Sequence, residues 1–228
     1  MKQATRCEKL PVELGILLAL GLLVVTLGVF LLIAIWVSQG RLVAVDRLLL
    51  LSLRVPGHPQ DPLGPIWFES FVRDVTALGS RGVLGLVVVA VAGFLALTGR
   101  GGRALAVLAF TITGSLVGEI AKHAFARPRP DLVPHGVEVM SLSFPSAHAM
   151  QASVVYLTLG ALLAASQPQR RVRAYVVGVA VLVVLTVGTS RVYLGVHWPS
   201  DVLAGWALGT AWATVCWLVD RRMQHRAL

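Results

Sequence analysis

Six stretches of almost unbroken Val, Leu, Ile, Ala and Gly divide this sequence, at residues 15–37, 82–98, 104–121, 149–165, 172–189 and 202–219. Each is close to the roughly 20 apolar residues, with a lower limit near 17, that a helix needs to cross a hydrocarbon core about 30 Å thick. One such run is also what a buried core helix or a signal sequence looks like, but six in a chain of 228 residues exclude an ordinary water-soluble fold. The first run is longer than the apolar part of a signal sequence, and no small-residue cleavage site clearly follows it. Charged residues make up 14 % of the chain, where a soluble domain carries about a quarter. The expected fold class is therefore all-α: a polytopic helical membrane bundle of six transmembrane helices. It forms one domain over residues 1–228, with no internal repeat and no low-complexity linker.

The formal net charge of +9 would suit a nucleic-acid partner if it were gathered on one soluble face. It is scattered among loop ends instead, so the expected partner is the bilayer and not nucleic acid. Lys2, Arg6 and Lys9 precede the first run, and Arg100 and Arg103 separate the second from the third. Arg170, Arg171 and Arg173 precede the fifth, and Arg221, Arg222 and Arg226 end the chain. With six spans these all fall on one side, which the positive-inside rule makes the cytoplasm, termini included. Asp46, Asp61, Glu69, Asp74, Asp131, Glu138 and Asp201 fall in the alternate loops, which face outward. In the long outer loop, 38–81, Ile66, Trp67, Phe71, Val72, Val75 and Leu78 recur at helical spacing around Glu69, Arg73 and Asp74. That is the pattern of an interfacial amphipathic helix, or of an extension of the second span tucked against the bundle.

Three charged groups remain that topology does not explain, all on the outer side. In KHAFARPRP, Lys122 ends the third span and Pro128 and Pro130 stop the helix. In SFPSAHAM, Pro145 suits a first helical position and His148 follows in the first turn of the fourth span. In SRVYLGVHWPSD, Arg191 ends the fifth span, and His197 and Asp201 lead into the sixth. Cations at a helix N-terminus, with the free amides of residues 146–148, form a site for a multiply charged anion, and phosphate is the natural candidate. Two histidines beside it allow one to attack phosphorus while the other protonates the departing oxygen. Asp201, four residues after His197, can accept from one ring nitrogen and leave the other free to attack. No cluster of carboxylates stands ready for a metal, and the two cysteines, Cys7 and Cys216, form neither a disulfide framework nor a metal site.

The three groups read K-HAFARP-RP, PSAH and SR-VYLGV-H-WPS-D, and in order and spacing they resemble the signatures K-x6-R-P, P-S-G-H and S-R-x5-H-x3-D. Those mark the type 2 phosphatidic acid phosphatase family, membrane lipid phosphatases related to vanadium haloperoxidases and glucose-6-phosphatase. The resemblance implies that Lys122, Arg129 and Arg191 hold the phosphate oxygens with the help of Ser146, that His148 is the acid, that His197 is the nucleophile and that Asp201 is its partner. It implies hydrolysis of a lipid phosphate or diphosphate through a phosphohistidine, without metal or cofactor. Phosphatidic acid, phosphatidylglycerol phosphate and undecaprenyl diphosphate are the candidate substrates. Ala147 stands where the family has glycine, a substitution that costs nothing in a right-handed first turn, which Pro145 favours.

A lipid phosphotransferase and a non-enzymatic anion or lipid transporter remain alternatives, though a transporter has no need of the two histidines. The composition, rich in Ala, Val, Leu and Arg, points to a bacterial chain and hence to the cytoplasmic membrane, with the active site on its outer face. Arg127 is secondary, placed either to contact substrate or to serve in a plain turn with Pro128 and Pro130. Glu119 is placed to pair with Lys122 at i, i+3. His58, His123, His135 and His225 match no motif and are expected at solvated or interfacial positions. Trp36, Trp198 and Trp217 suit the aromatic belt, with Trp198 also able to line the site. The glycines from Gly79 to Gly93, with Gly205 and Gly209, are expected to let helices pack closely.

Overall fold

The computed structural model describes residues 4–137 and 141–226. Expectations placed on Lys2 and Glu138, and on the side chains of Arg6, Cys7, Lys9, His225 and Arg226, lie outside what is described. The chain forms α1 (Ala4–Ser38), α2 (Val43–Leu51), α3 (Ile66–Ala77), α4 (Arg81–Leu97), α5 (Gly101–Phe125), α6 (Ala147–Ala165), α7 (Arg170–Tyr193) and α8 (Pro199–Arg226). A short antiparallel hairpin, β1 (Arg54–Val55) and β2 (His58–Pro62), turns at Gly57, whose φ of 81° suits a residue without Cβ. It is the one departure from an all-helical chain among the described residues. Arg54 anchors it by donating from Nη2 to the carbonyl of Tyr193 at 2.9 Å.

Five helices are long and apolar enough to cross a membrane: α1, α5, α6, α7 and α8. The sixth expected span is less simple. At 17 residues α4 is about 26 Å long, short of the roughly 30 Å core. It joins α3 across a 48° bend, and only the pair together passes as a span. Ser80 caps the start of α4, its Oγ accepting from the amide of Val83 at 3.3 Å. α3 is amphipathic, as expected, and leads into α4 across that bend. Val72 and Thr76 are buried on the side packed against α7, while Ile66, Trp67 and Phe71 are exposed.

The burial pattern is inverted relative to a soluble protein. Leu97 is 91 % exposed and Leu86 72 %, whereas Lys122, Arg191 and Asp201 are at 3 % or less. Apolar side chains meet hydrocarbon, so their exposure carries no hydrophobic penalty, and the polar residues are gathered inside at one end of the bundle. The helices reach one another through small residues. A Cβ on Gly209 would stand 2.5 Å from the Met150 carbonyl oxygen, and one on Gly205 2.7 Å from that of Ser146, so α8 lies directly against the backbone of α6. Gly79 is similarly pressed by Val187 of α7. Gly82, Gly85 and Gly93 have nothing within 4 Å and do not serve packing as expected. Phe144, wholly buried, stacks on Phe30 of α1 at 6.1 Å and meets Phe125 of α5 edge-on at 5.0 Å, which pins the loop before α6.

Candidate active site

Four helix ends and two loops meet at the polar end. The last turn of α5 carries Lys122, and the helix stops at Ala126, which takes a left-handed φ of 45° before Pro128 and Pro130. That reversal returns Arg129 beneath the segment leading to α6. Ser141 aims both cations. Lys122 Nζ donates to Ser141 Oγ at 2.9 Å and to the Leu142 carbonyl at 3.0 Å. Arg129 Nε donates to the Ser141 carbonyl at 2.6 Å, and its Nη1 to the Val196 carbonyl at 2.6 Å. Arg191, in the last turn of α7, donates from Nη1 to Thr76 Oγ1 at 2.9 Å, so α3 fixes its direction.

The start of α6 differs slightly from the sequence reading. Ser146 is the N-cap and Ala147 the first helical residue, which puts Pro145 one place before the cap instead of at the first helical position. Among the described residues the only non-glycine with positive φ is Ala126, so Ala147 sits in a right-handed turn and carries no left-handed strain. His148 follows it in the first turn. Ser146 is wholly buried, its amide donating to the Asp201 carbonyl at 2.9 Å, which ties α6 to α8.

A cavity of about 570 Å³ opens between these elements, lined by Lys122, Arg129, Ala147, His148, Arg191 and His197. Asp201, wholly buried, stands behind His197 with Oδ2 3.4 Å from its Nδ1. On the opposite edge of the ring Arg129 Nη1 lies 3.1 Å from Nε2. A guanidinium can only donate, so Nε2 is the acceptor and the ring proton belongs on Nδ1, toward Asp201. Burial pushes His197 down to about 4, against the opposing pull of Asp201, so the imidazole is neutral at neutral pH. Burial also lowers Arg129, and Asp201 works against the shift. Two buried donors, Ser146 Oγ and Arg191 Nε, have no hydrogen-bond partner in the structure. The inventory suits an oxyanion of multiple charge beside a neutral imidazole nucleophile.

Four residues belong to this site that the sequence reading missed or misplaced. Ser143 donates from its hydroxyl to Asp201 Oδ2, and Ser141 holds two cations, as above. Arg127 is no plain turn residue: its side chain is 11 % exposed and ion-pairs with both Asp46 and Asp201. Asp46, expected in an outward-facing loop, is 2 % exposed on α2. Glu119 pairs with Arg81 of α4 and not with Lys122. Trp198 lies over the Arg127 guanidinium at 5.5 Å, beside the site's supports and not among the cavity's lining. His58, His123 and His135 are exposed, as expected. Among the described residues no three His, Cys, Asp or Glu side chains group as a metal site requires.

A second cavity of about 600 Å³ adjoins the first and shares Arg81, Ser141 and Gln151 with it. Its walls are mainly apolar, with Leu84 of α4, Ile112 and Leu116 of α5, and Val154 and Val155 of α6.

Residues 103–224 match the model of the PAP2 superfamily. The chain is 35 % identical over 147 residues to phosphatidylglycerophosphatase B of Bacillus subtilis (strain 168), covering 63 % of this chain and 70 % of that one. It is 34 % identical over 140 residues to a decaprenylphosphoryl-5-phosphoribose phosphatase of Mycobacterium tuberculosis, covering 60 % and 71 % respectively. Its fold resembles the crystal structure of a transmembrane PAP2-type phosphatidylglycerolphosphate phosphatase from Bacillus subtilis. The TM-score is 0.80 at 26 % identity, over 88 % of this chain and 96 % of that one.

Proposed function

The chain belongs to the PAP2 superfamily, and from that premise we propose that it removes the terminal phosphate of a membrane lipid through a phosphohistidine on His197. That it is a membrane hydrolase of phosphate ester or diphosphate bonds follows from its relatives. The observation that carries the finer reading is the orientation of His197. Its Nδ1 faces Asp201, and its Nε2 bears the lone pair, held by Arg129 Nη1 at the wall of a cavity that also presents Lys122, Arg191 and His148, so that Arg129 releases it on turning to the phosphate oxygens.

In the proposed cycle Nε2 of His197 attacks phosphorus in line, and the bond from phosphorus to the lipid oxygen breaks as His148 protonates that oxygen. Asp201 stabilises the positive ring that forms. Water, deprotonated by His148, then breaks the phosphorus–nitrogen bond and releases inorganic phosphate. Lys122, Arg129 and Arg191 stabilise the equatorial oxygens, the task metal ions perform in many phosphoryl-transfer enzymes. Arg191 Nε, buried without a hydrogen-bond partner on a residue that lines the cavity, is a further donor for the phosphate. The apolar cavity between α4, α5 and α6 receives the hydrocarbon stem, since it continues into the cationic one at Arg81, Ser141 and Gln151.

Among the candidates, the relatives' names support phosphatidylglycerol phosphate first and undecaprenyl diphosphate second. The proposed location is the cytoplasmic membrane of a bacterium, with six spans, both termini inside and the site outside. The test is phosphate release by purified protein in detergent micelles on each of the three lipids. Release from phosphatidylglycerol phosphate that survives excess EDTA is the expected result. No release from any of them contradicts the reading, and product that depends on an added alcohol acceptor assigns a phosphotransferase instead.

A further inference from the structure

α2 lies outside every sequence motif and outside the stretch that matches the superfamily, yet it contributes a buried carboxylate to the site's foundations. Asp46 Oδ1 accepts from the Ser200 amide at 2.9 Å, and Oδ2 accepts from Ser200 Oγ at 2.6 Å and from Arg127 Nη2 at 2.8 Å. Arg127 passes on through Nη1, which donates to Ser200 Oγ at 2.8 Å and to Asp201 Oδ1 at 2.7 Å. Asp201 is thereby held from both ends. Oδ1 is committed to Arg127, and Oδ2 receives the Ser143 hydroxyl and the Trp198 amide at 3.0 Å on the side that faces His197.

We propose that Asp46 and Arg127 are positioning residues for the reaction at His197, fixing which oxygen of Asp201 meets the imidazole and keeping that carboxylate charged. The inference rests on the phosphohistidine reading above. A wholly buried carboxylate can rotate about its Cβ–Cγ bond unless each oxygen has its own partner, and the planar fork of an arginine fixes one oxygen where a lysine cannot. Arg127 is almost buried itself, and a lone guanidinium against one carboxylate would be free to swing with it. Asp46 grips the other nitrogen and so makes Arg127 a fixed post. The charges have a further consequence. Two carboxylates and one guanidinium leave one excess negative charge behind a neutral His197, and the ring becomes positive when its Nε2 bonds to phosphorus. The excess is then cancelled inside the same cluster.

The experiment compares wild type with Asp46→Asn and Arg127→Lys, reading kcat and KM on p-nitrophenyl phosphate and on a lipid phosphate, thermal unfolding in micelles, and ring ¹⁵N signals of His197. The expected result is a fall in kcat of about ten- to a hundred-fold on both substrates, the usual scale for groups that orient a reacting side chain. KM stays within about threefold, and the Nδ1–H form of His197 gives way to mixed tautomers in protein that remains folded. Wild-type kcat with an unchanged tautomer in the folded variants overturns the proposal. So does a loss of activity that merely tracks the unfolded fraction while His197 keeps its tautomer, because α2 then only ties the bundle. If Asp46→Asn does not fold, Arg127→Lys decides by the same readouts. Should His197→Ala prove as active as wild type, the phosphohistidine reading itself fails. Dependence on His197 with indifference to Asp46 and Arg127 sinks the positioning role alone.

Discussion

The two histidines at the cavity are unlike in what they can do. His197 is 1 % exposed, held between Asp201 and Arg129, and neutral because burial pushes it down to about 4. Its charged form is the one disfavoured, so a function that needs its lone pair is retained above that pH and lost as pH falls through about 4. Ring ¹⁵N titration of the resting protein should therefore find His197 neutral at pH 5, whereas titration near 6.5 contradicts the burial argument. His148, at the N-terminal turn of α6, is assigned to proton transfer, worth typically 10²- to 10⁴-fold. His148→Ala should be rescued selectively on p-nitrophenyl phosphate, whose leaving group needs no proton, and the rescue should appear in the first-turnover burst. His197→Ala should fail on both ester types. Equal responses of the two variants reverse the role assignment. At this scale the sequence singled out Lys122, Arg129, Ala147, His148, Arg191 and His197 of the residues that line the cavity, since their spacing is fixed by where helices begin and end. It could not show Asp46 with Arg127, 81 positions apart, or the hydroxyls of Ser141 and Ser143. Their partners are set by tertiary packing, and a buried Asp reads in sequence like any loop acid.

At the level of elements, the site is exact only as far as α6 and α8 lie close together. The Ser146 amide donates to the Asp201 carbonyl, and Gly205 and Gly209 let α8 touch the α6 backbone. Gly209→Ala puts a methyl 2.5 Å from the Met150 carbonyl oxygen and 2.6 Å from Ser153 Cβ, where backbone must move. It should destabilise the fold by about 1–3 kcal/mol, the usual cost of overpacking, visible as a lower unfolding temperature in micelles. Gly85→Ala, with nothing within 4 Å, should leave that temperature unchanged. An equal response of the two would show that α8 does not depend on this contact. Continuous apolar runs located the five helices long enough to cross a membrane and the shorter α4, because length and composition are local properties. The 48° bend between α3 and α4 and the small hairpin depend on what α3 meets, which is α7, and were not legible.

For the whole molecule, the cations and histidines of the site and the carboxylates behind them lie at one end of an apolar bundle, and the proposed topology places that end outside. In a background without Cys7, a cysteine at exposed His58 should react with an impermeant thiol reagent on intact cells, and one at exposed Gln169 should not. The reverse pattern would put the site in the cytoplasm. The same arrangement makes Lys122, Arg129 and Arg191 the charge clamp, so activity should persist in excess EDTA; loss restored by magnesium would contradict that role. A covalent phosphoryl group on His197 can be trapped. His148→Ala, impaired in the hydrolytic step, is mixed with phosphate-labelled p-nitrophenyl phosphate, quenched in alkali, where phosphohistidine survives, and digested for peptide mapping. Label should appear on the peptide containing His197 and be absent when His197 is also replaced by Ala. A burst of p-nitrophenol with no label on His197, or label on another residue, would contradict the phosphohistidine reading.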